Sequence, residues 1–332
     1  MEKGTVLVTG ATGFLGSELV RQLIRKGQAV RILARKSAQF DLLQDVAGKF
    51  EVATGDITDP LSVRDAMDGV QVVYHAAAFV GFGGKKDAQK LRIVNVQGTA
   101  NVVNSVLGTQ VRRLVLTSSM AAFGRPANQE DVITENQLWT PSKLNTGYAQ
   151  SKYDAELEVQ RGIAEGLDAV IVNPALIFGI GRLGEGTMKI VEQVKTGRLP
   201  AVPWGATNVV DVRDVAAGHL LACEKGKTGE RYFLGGENLL WSEIVAKLAA
   251  AFGVKAPTRK LHPTLSMIAA TITETIGNLT GTQPLLTRES ARASIGRYRY
   301  STQKAEETLG YRARTMAETV AYLAENWPQA RL

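Results

Sequence analysis

Cysteine occurs once in the 332 residues, at Cys223, and histidine three times, at His75, His219 and His262. A lone thiol excludes an internal disulfide and suits a reducing compartment. Its flank, HLLACEK, reads as helix, so Cys223 is expected to be a small buried core residue. Three scattered histidines offer no metal-ligand spacing, and no metal site is expected. No uninterrupted apolar run approaches the ~20 residues of a spanning helix, so no integral membrane segment is expected. The first apolar run, Val6 to Val8, is a strand's length and leads into glycines, so a signal peptide is not expected either. These absences predict a cytoplasmic protein.

Charge of one sign is also scarce. Lys and Arg total 39 against 32 Asp and Glu, a net charge of +7, and the basic residues are mixed with acids along the chain. The densest late cluster, RESARASIGRYRY, has no nucleic-acid motif around it, so it reads as a solvated face and no nucleic-acid partner is expected. Internal repeats and low-complexity linkers are absent.

What the chain does have is a rhythm. TVLVTG, AVRILAR, FEVATGD, VQVVYHAAA, RRLVLTSS and LDAVIVNPALIF are apolar, β-branched runs of strand length. Between them lie helix candidates: SELVRQLIRKG, PLSVRDAMDG, KLRIVNVQGTANVVNSVL and GYAQSKYDAELEVQRGIAEG. Continuous apolar strands separated by helices predict an α/β fold, a doubly wound parallel sheet of Rossmann type with helices on both faces. From Ile180 the chain turns loop-rich, and the last hundred residues read as a smaller, mostly helical lobe. The expected division is a dinucleotide-binding domain over 1–179, to which 207–228 returns, and a substrate lobe from 180–206 and 229–332.

The turn after the first strand carries Gly10, Gly13 and Gly16 in GATGFLG. A strand leading through glycines into a helix aims free N–H groups at one spot, which is an anion site. Gly10 permits the tight turn, Gly13 lets backbone approach a pyrophosphate, and Gly16 lets the helix pack closely. Thr12, Phe14 and Leu15 belong to the same cradle. The second strand ends Ala34-Arg35-Lys36-Ser37, with no acid for a ribose 2′-hydroxyl. Arg35 and Lys36 suit a 2′-phosphate instead, so NADP(H) is favoured and NAD(H) is admitted. Asp56, followed by Ile57, stands where an acceptor could take the adenine amino group, or it is a turn aspartate. Ala76, Ala77 and Ala78 form a strand end of tiny side chains that lets backbone lie against a cofactor.

Tyr148 and Lys152 in YAQSK fall on one helix face. A phenol with a pKa of about 10 is a poor acid at neutral pH, and a lysine charge beside it is expected to lower that value. Thr117, Ser118 and Ser119 end a strand, where a hydroxyl can bond a substrate carbonyl. Tyr153 has Leu157 four residues on, not a cation.

GATGFLG, GD, HAAA, VNVQGT, TSS, YAQSK and NPALIFG, in that order, resemble the extended short-chain dehydrogenase/reductase superfamily over nearly the whole chain. RYFLGGENLLWSEI and the segment from PLLTRES to LGY resemble its dihydroflavonol 4-reductase-like and 3β-hydroxysteroid-dehydrogenase-like branches. The resemblance implies a triad of Ser119, Tyr148 and Lys152, with Asn95 near the lysine and its proton relay. It places Pro174 and Ala175 beside the nicotinamide, counts Thr117 among the cofactor-binding residues, and sets Met120 and the loop from Phe79 to Phe82 against substrate. It also implies a homodimer paired through helices near Val94–Leu107 and Tyr148–Ile163.

The expected activity is NADP(H)-dependent reduction of an apolar ketone or aldehyde, flavonoid-, steroid- or β-keto-like. Two alternatives stand beside it: a nucleotide-sugar epimerase or dehydratase with tightly held NAD, and a non-catalytic dinucleotide sensor. In the helical lobe, Leu265, Met267, Ile268, Ile272 and Ile276 form an apolar stripe. It reads as core packing, as the wall of an apolar pocket, or as a surface helix touching membrane.

Overall fold

The computed structural model describes residues 4–81, 84–126, 131–142, 144–280 and 287–327. Seven strands form its large sheet: β1 (Thr5–Thr9), β2 (Val30–Ala34), β3 (Glu51–Thr54), β4 (Val70–His75), β5 (Arg113–Thr117), β6 (Ala169–Pro174) and β7 (Arg231–Leu234). Every neighbouring pair is parallel, in the order β3-β2-β1-β4-β5-β6-β7. The order reverses between β1 and β4, and a doubly wound sheet opens its ligand crevice at such a reversal.

Alternation along each strand divides the interior in two. Val6, Val8, Ile32, Val115, Val170 and Val172 pack into one core. Leu7, Leu33, Val73, Leu114, Leu116 and Ile171 pack into a second on the opposite face. Both faces are covered, which is why the strands read as unbroken apolar runs. Cys223 packs, partly buried, against the first core, and burial raises its thiol pKa.

A third core, including Phe178, Val191, Val209, Ile244, Leu248 and Leu323, belongs to the lobe. There Ala206–Asp211 pairs parallel to Leu176–Phe178 and antiparallel to Glu237–Leu240, with helices Gly186–Lys195, Trp241–Ala251 and Met316–Glu325 around them. The helix Val212–Lys225 returns to the large domain and packs on the first helix, Phe14–Arg25.

Two expectations need correcting. The return to the large sheet does not end at 228: Arg231–Leu234 adds to the sheet beside β6, with Arg231 opposite Ile171 and Leu234 opposite Pro174. Its run of four residues is too short to stand out from the lobe by sequence pattern. Three residues of the lobe stripe are not core, Met267 is half-buried, and the side chain of Ile276 lies outside the described residues. Leu265, Ile268 and Ile272 stand more than half exposed on the helix Pro263–Thr280, while Ser266 and Ala270 take the buried side.

Candidate active site

The strand ends converge on one edge. Thr9 lies level with Leu33 and with His75, His75 with Leu116, and Thr117 with Val172. At the end of β1, Gly10 takes φ +70°, and an added Cβ would lie 2.6 Å from Ala77 N and 2.7 Å from Ala76 C. No side chain fits between the ends of β1 and β4. Gly16 is held as tightly, since a Cβ there would lie 2.1 Å from Gly10 O. Gly13 differs. It is the N-cap of the first helix, with ordinary φ of −87° and no side-chain cap. A Cβ there would meet only Gly10 O, at 3.2 Å. That contact is tighter than ordinary van der Waals packing, but far looser than those at Gly10 and Gly16. The space it leaves is in front of a helix N-terminus, as a diphosphate needs.

Phe14 and Leu15 contribute backbone to that terminus, because their side chains are engaged elsewhere. The Phe14 ring lies against Gly181 and Gly179, and Leu15 packs on the core. Arg35 and Lys36 follow β2 beside the glycine turn, both exposed, and no side-chain bond holds either among the described residues. Asp56 behaves as a turn aspartate: its Oδ1 accepts Thr58 N–H and Thr58 O–H, both at 2.9 Å. Ile57 is buried and its carbonyl accepts from Asn101 Nδ2 at 2.9 Å. The open space at Gly13 and the unheld cations past β2 fit a nicotinamide dinucleotide.

His75 pins the alanine segment. Ala77 N–H donates to Thr9 Oγ1 at 3.2 Å, and Thr9 Oγ1 lies 2.7 Å from His75 Nδ1. His75 Nε2 lies 3.1 Å from Thr99 Oγ1, whose hydroxyl donates to Asn95 O at 2.6 Å. Thr99 spends its proton on Asn95, so the imidazole proton sits on Nε2. Burial, with the Lys152 charge adding, lowers the His75 pKa to about 3, so the ring is neutral and structural.

The helix Gly147–Ala164 begins at Thr146, whose Oγ1 accepts Ala149 N–H at 3.0 Å. Tyr148 lies in its first turn, Lys152 one turn on and Glu156 a turn further. Ser119 caps the short helix Met120–Phe123, accepting Ala121 N–H at 3.2 Å, and hydrogen-bonds the Tyr148 phenol. Ser118 points the other way and donates to Glu156 Oε1. The two serines of TSS thus have separate partners.

The phenol is not acidified as expected. Burial raises the Tyr148 pKa, and the Ser119 bond only partly offsets this. Lys152 Nζ donates to Thr117 O at 2.7 Å. The lysine itself is perturbed. Burial lowers its pKa to about 8, against an upward pull from Glu156.

Asn95 lies in a π-helical stretch, Leu91–Gln97. Its Oδ1 accepts Phe79 N–H at 2.7 Å, and its Nδ2 donates to Phe79 O at 2.9 Å and to Ser151 Oγ at 3.0 Å. It therefore clasps the Phe79 segment to the Tyr148 helix. Pro174 ends β6, and the next residue, Ala175, donates its N–H to Leu234 O at 3.1 Å. Met120 packs partly buried on the first core. Phe82 lies outside the described residues.

Five residues beyond those predicted complete the site. Glu156 is buried, accepts from Asn173 Nδ2 at 2.6 Å and pairs with Arg231 at 3.5 Å. Asn173 also donates to Ser119 O at 3.0 Å. Arg231 comes from β7 and further donates to Gln137 O at 3.0 Å. His219, neutral with its pKa lowered to about 4 by burial, lies 2.8 Å from Thr117 Oγ1 and 2.8 Å from Val215 O. Arg182 donates to Thr12 O at 3.0 Å, Gln39 O at 3.2 Å and Asp41 Oδ2 at 2.7 Å, tying the glycine turn to the loop after β2. Glu156 could have been found, since it continues the i, i+4 series of Tyr148 and Lys152. No spacing rule points to the other four.

The sequence model of the NAD dependent epimerase/dehydratase family matches residues 6–235. A putative dihydroflavonol 4-reductase of Synechocystis sp. is 34% identical over 319 residues, covering 95% of this chain and 92% of that protein. Sterol demethylase protein B of Methylococcus capsulatus is 38% identical over 262 residues, covering 79% and 78%. The crystal structure of gox2253 superposes with a TM-score of 0.84 at 33% identity and covers 99% of both chains.

Proposed function

The chain belongs to the NAD-dependent epimerase/dehydratase family and is an NAD(P)-dependent enzyme of the extended short-chain dehydrogenase/reductase type; on that premise we propose that it reduces the carbonyl of an apolar ketone or aldehyde with NADP(H). The observation that carries this reading is the Tyr148 phenol, bonded to Ser119 and one helical turn from buried Lys152. Two relatives named for a dihydroflavonol and for a sterol support an apolar, ring-bearing substrate.

Backbone from Gly10 to Gly16 would hold the diphosphate, with Arg35 and Lys36 at a 2′-phosphate. Ala76, Ala77, Ala78 and Thr117 would lie against the cofactor, and Pro174 and Ala175 beside the nicotinamide. When bound, the dinucleotide supplies the hydride. Ser119 orients the carbonyl oxygen, and Tyr148 O–H donates the proton to it. Burial keeps that phenol protonated at neutral pH, which suits an acid. The charge it leaves on the phenolate is met by the Lys152 cation.

Lys152 is charged below about pH 8 and neutral above it. For carbonyl reduction, kcat/KM should therefore hold at neutral pH and fall as pH rises through about 8, with Tyr148 protonated throughout. The Glu156 carboxylate raises the Lys152 pKa, so Glu156→Gln should move the falling limb to lower pH. An unmoved limb in that variant would mean that Glu156 acts on packing alone.

Arg35→Ala should weaken NADPH more than NADH by roughly 1–3 kcal/mol, the range for hydrogen bonds to charged groups. Titration of both cofactors checks this, and equal losses would remove the 2′-phosphate assignment. The substrate class is tested by NADPH and NADH oxidation against aromatic, steroidal and aliphatic carbonyls. Purification with retained NAD and no turnover of any carbonyl would favour the epimerase chemistry instead.

A further inference from the structure

The helix Pro263–Thr280 turns three of its aliphatic side chains outward. Leu265, Ile268 and Ile272 are 56%, 56% and 54% exposed, whereas Ser266 and Ala270 are buried. The three aliphatics recur at i, i+3 and i+7 and so form one stripe. Apolar surface continues beyond the helix N-terminus. Trp204 is 40% exposed, its ring 6.0 Å from that of His262, and the Arg297 guanidinium braces it at 5.2 Å. The acid of this helix, Glu274, is occupied: it accepts Arg288 N–H at 3.0 Å and Arg288 Nε at 3.1 Å.

The charge of this region is as uneven as its polarity. Residues 251–300 hold seven Lys and Arg against two Glu, so five of the seven net positive charges of the chain fall there. Arg259 and Lys260 are exposed just before the helix. No helix of the described residues is long and apolar enough to cross a membrane. A helix with this outward stripe and a basic flank suits an interfacial position instead.

We propose that this face docks on an anionic lipid surface, with the helix lying in the plane of the interface. Leu265, Ile268, Ile272 and Trp204 enter the boundary between headgroups and acyl chains, and Arg259 and Lys260 meet lipid phosphates. Aliphatic side chains fit acyl chains better than they fit a nucleic-acid backbone. Two copies paired through this face would bring like charges together.

The test is flotation of the purified full chain with vesicles of phosphatidylcholine containing a quarter phosphatidylglycerol, beside vesicles of phosphatidylcholine alone. Binding is expected on the anionic vesicles and should weaken as salt is raised. The triple variant Leu265→Gln, Ile268→Gln, Ile272→Gln should lose about tenfold or more in binding. Arg259→Gln with Lys260→Gln should lose about fivefold per cation removed. These positions are exposed, so the melting temperature and turnover of a water-soluble carbonyl should match those of the parent. Three results would overturn the proposal: no binding to anionic vesicles, equal binding to neutral ones, or a triple variant that floats like the parent. Tighter binding to duplex DNA, or a dimer that only the triple variant loses, would overturn it too.

Discussion

Tyr148→Phe should lower kcat for carbonyl reduction about 10²–10⁴-fold, the range for a positioned general acid. The substitution deletes one oxygen from a partly buried ring, so the helix and its Thr146 cap should be undisturbed. Cofactor affinity, followed by fluorescence of the bound dinucleotide, should therefore stay at the parent value. Retained turnover would remove Tyr148 from the reaction. Unchanged kcat together with lost cofactor affinity would make it a binding residue. Ser119→Ala should act in the same direction, because it removes both the phenol's partner and the cap of Met120–Phe123.

Gly13→Asp should affect stability little and binding strongly. Aspartate is among the best N-cap residues, and its charge suits a helix N-terminus. Only Gly10 O stands near the new Cβ, at 3.2 Å, and the backbone at φ −87° admits any residue. Thermal stability should thus change little, the cap offsetting the tight approach to Gly10 O. The carboxylate would occupy the space assigned to a diphosphate, and juxtaposed like charges cost several kcal/mol, so dinucleotide affinity should fall by about 10²-fold or more. Calorimetric melting and cofactor titration on one sample check both halves. Retained affinity would place the diphosphate elsewhere.

The sheet was legible in the sequence because a parallel strand covered on both faces must be apolar along its middle, as Val6–Val8 of β1, Val72–Tyr74 of β4, Leu114–Leu116 of β5 and Ala169–Val172 of β6 are. Tyr148 and Lys152 were legible because helical spacing fixes which side chains share a face. The electrostatics between them were not. They depend on where Lys152 Nζ finds its acceptor, and that is Thr117 O, a backbone atom on another element. Likewise, Glu156 shows its face but not its partners, since Ser118, Asn173 and Arg231 arrive from three different parts of the chain. Periodicity located the Leu265 stripe without telling which way it turns, because an outward stripe and an inward one repeat alike. The pairing of Arg231–Leu234 with β6 was not legible, because four residues carry too little pattern to reveal it.

The pairing of Glu156 with Arg231 bears on how the protein is born. Translation delivers the helix that carries Tyr148 well before the strand that carries Arg231, and domains tend to acquire structure as they emerge from the ribosome. Until β7 is added at the sheet edge, the Glu156 carboxylate has no guanidinium beside it. The nascent chain can thus assemble its nucleotide cradle early, but it completes the setting of its proton donor only when the last strand closes the row.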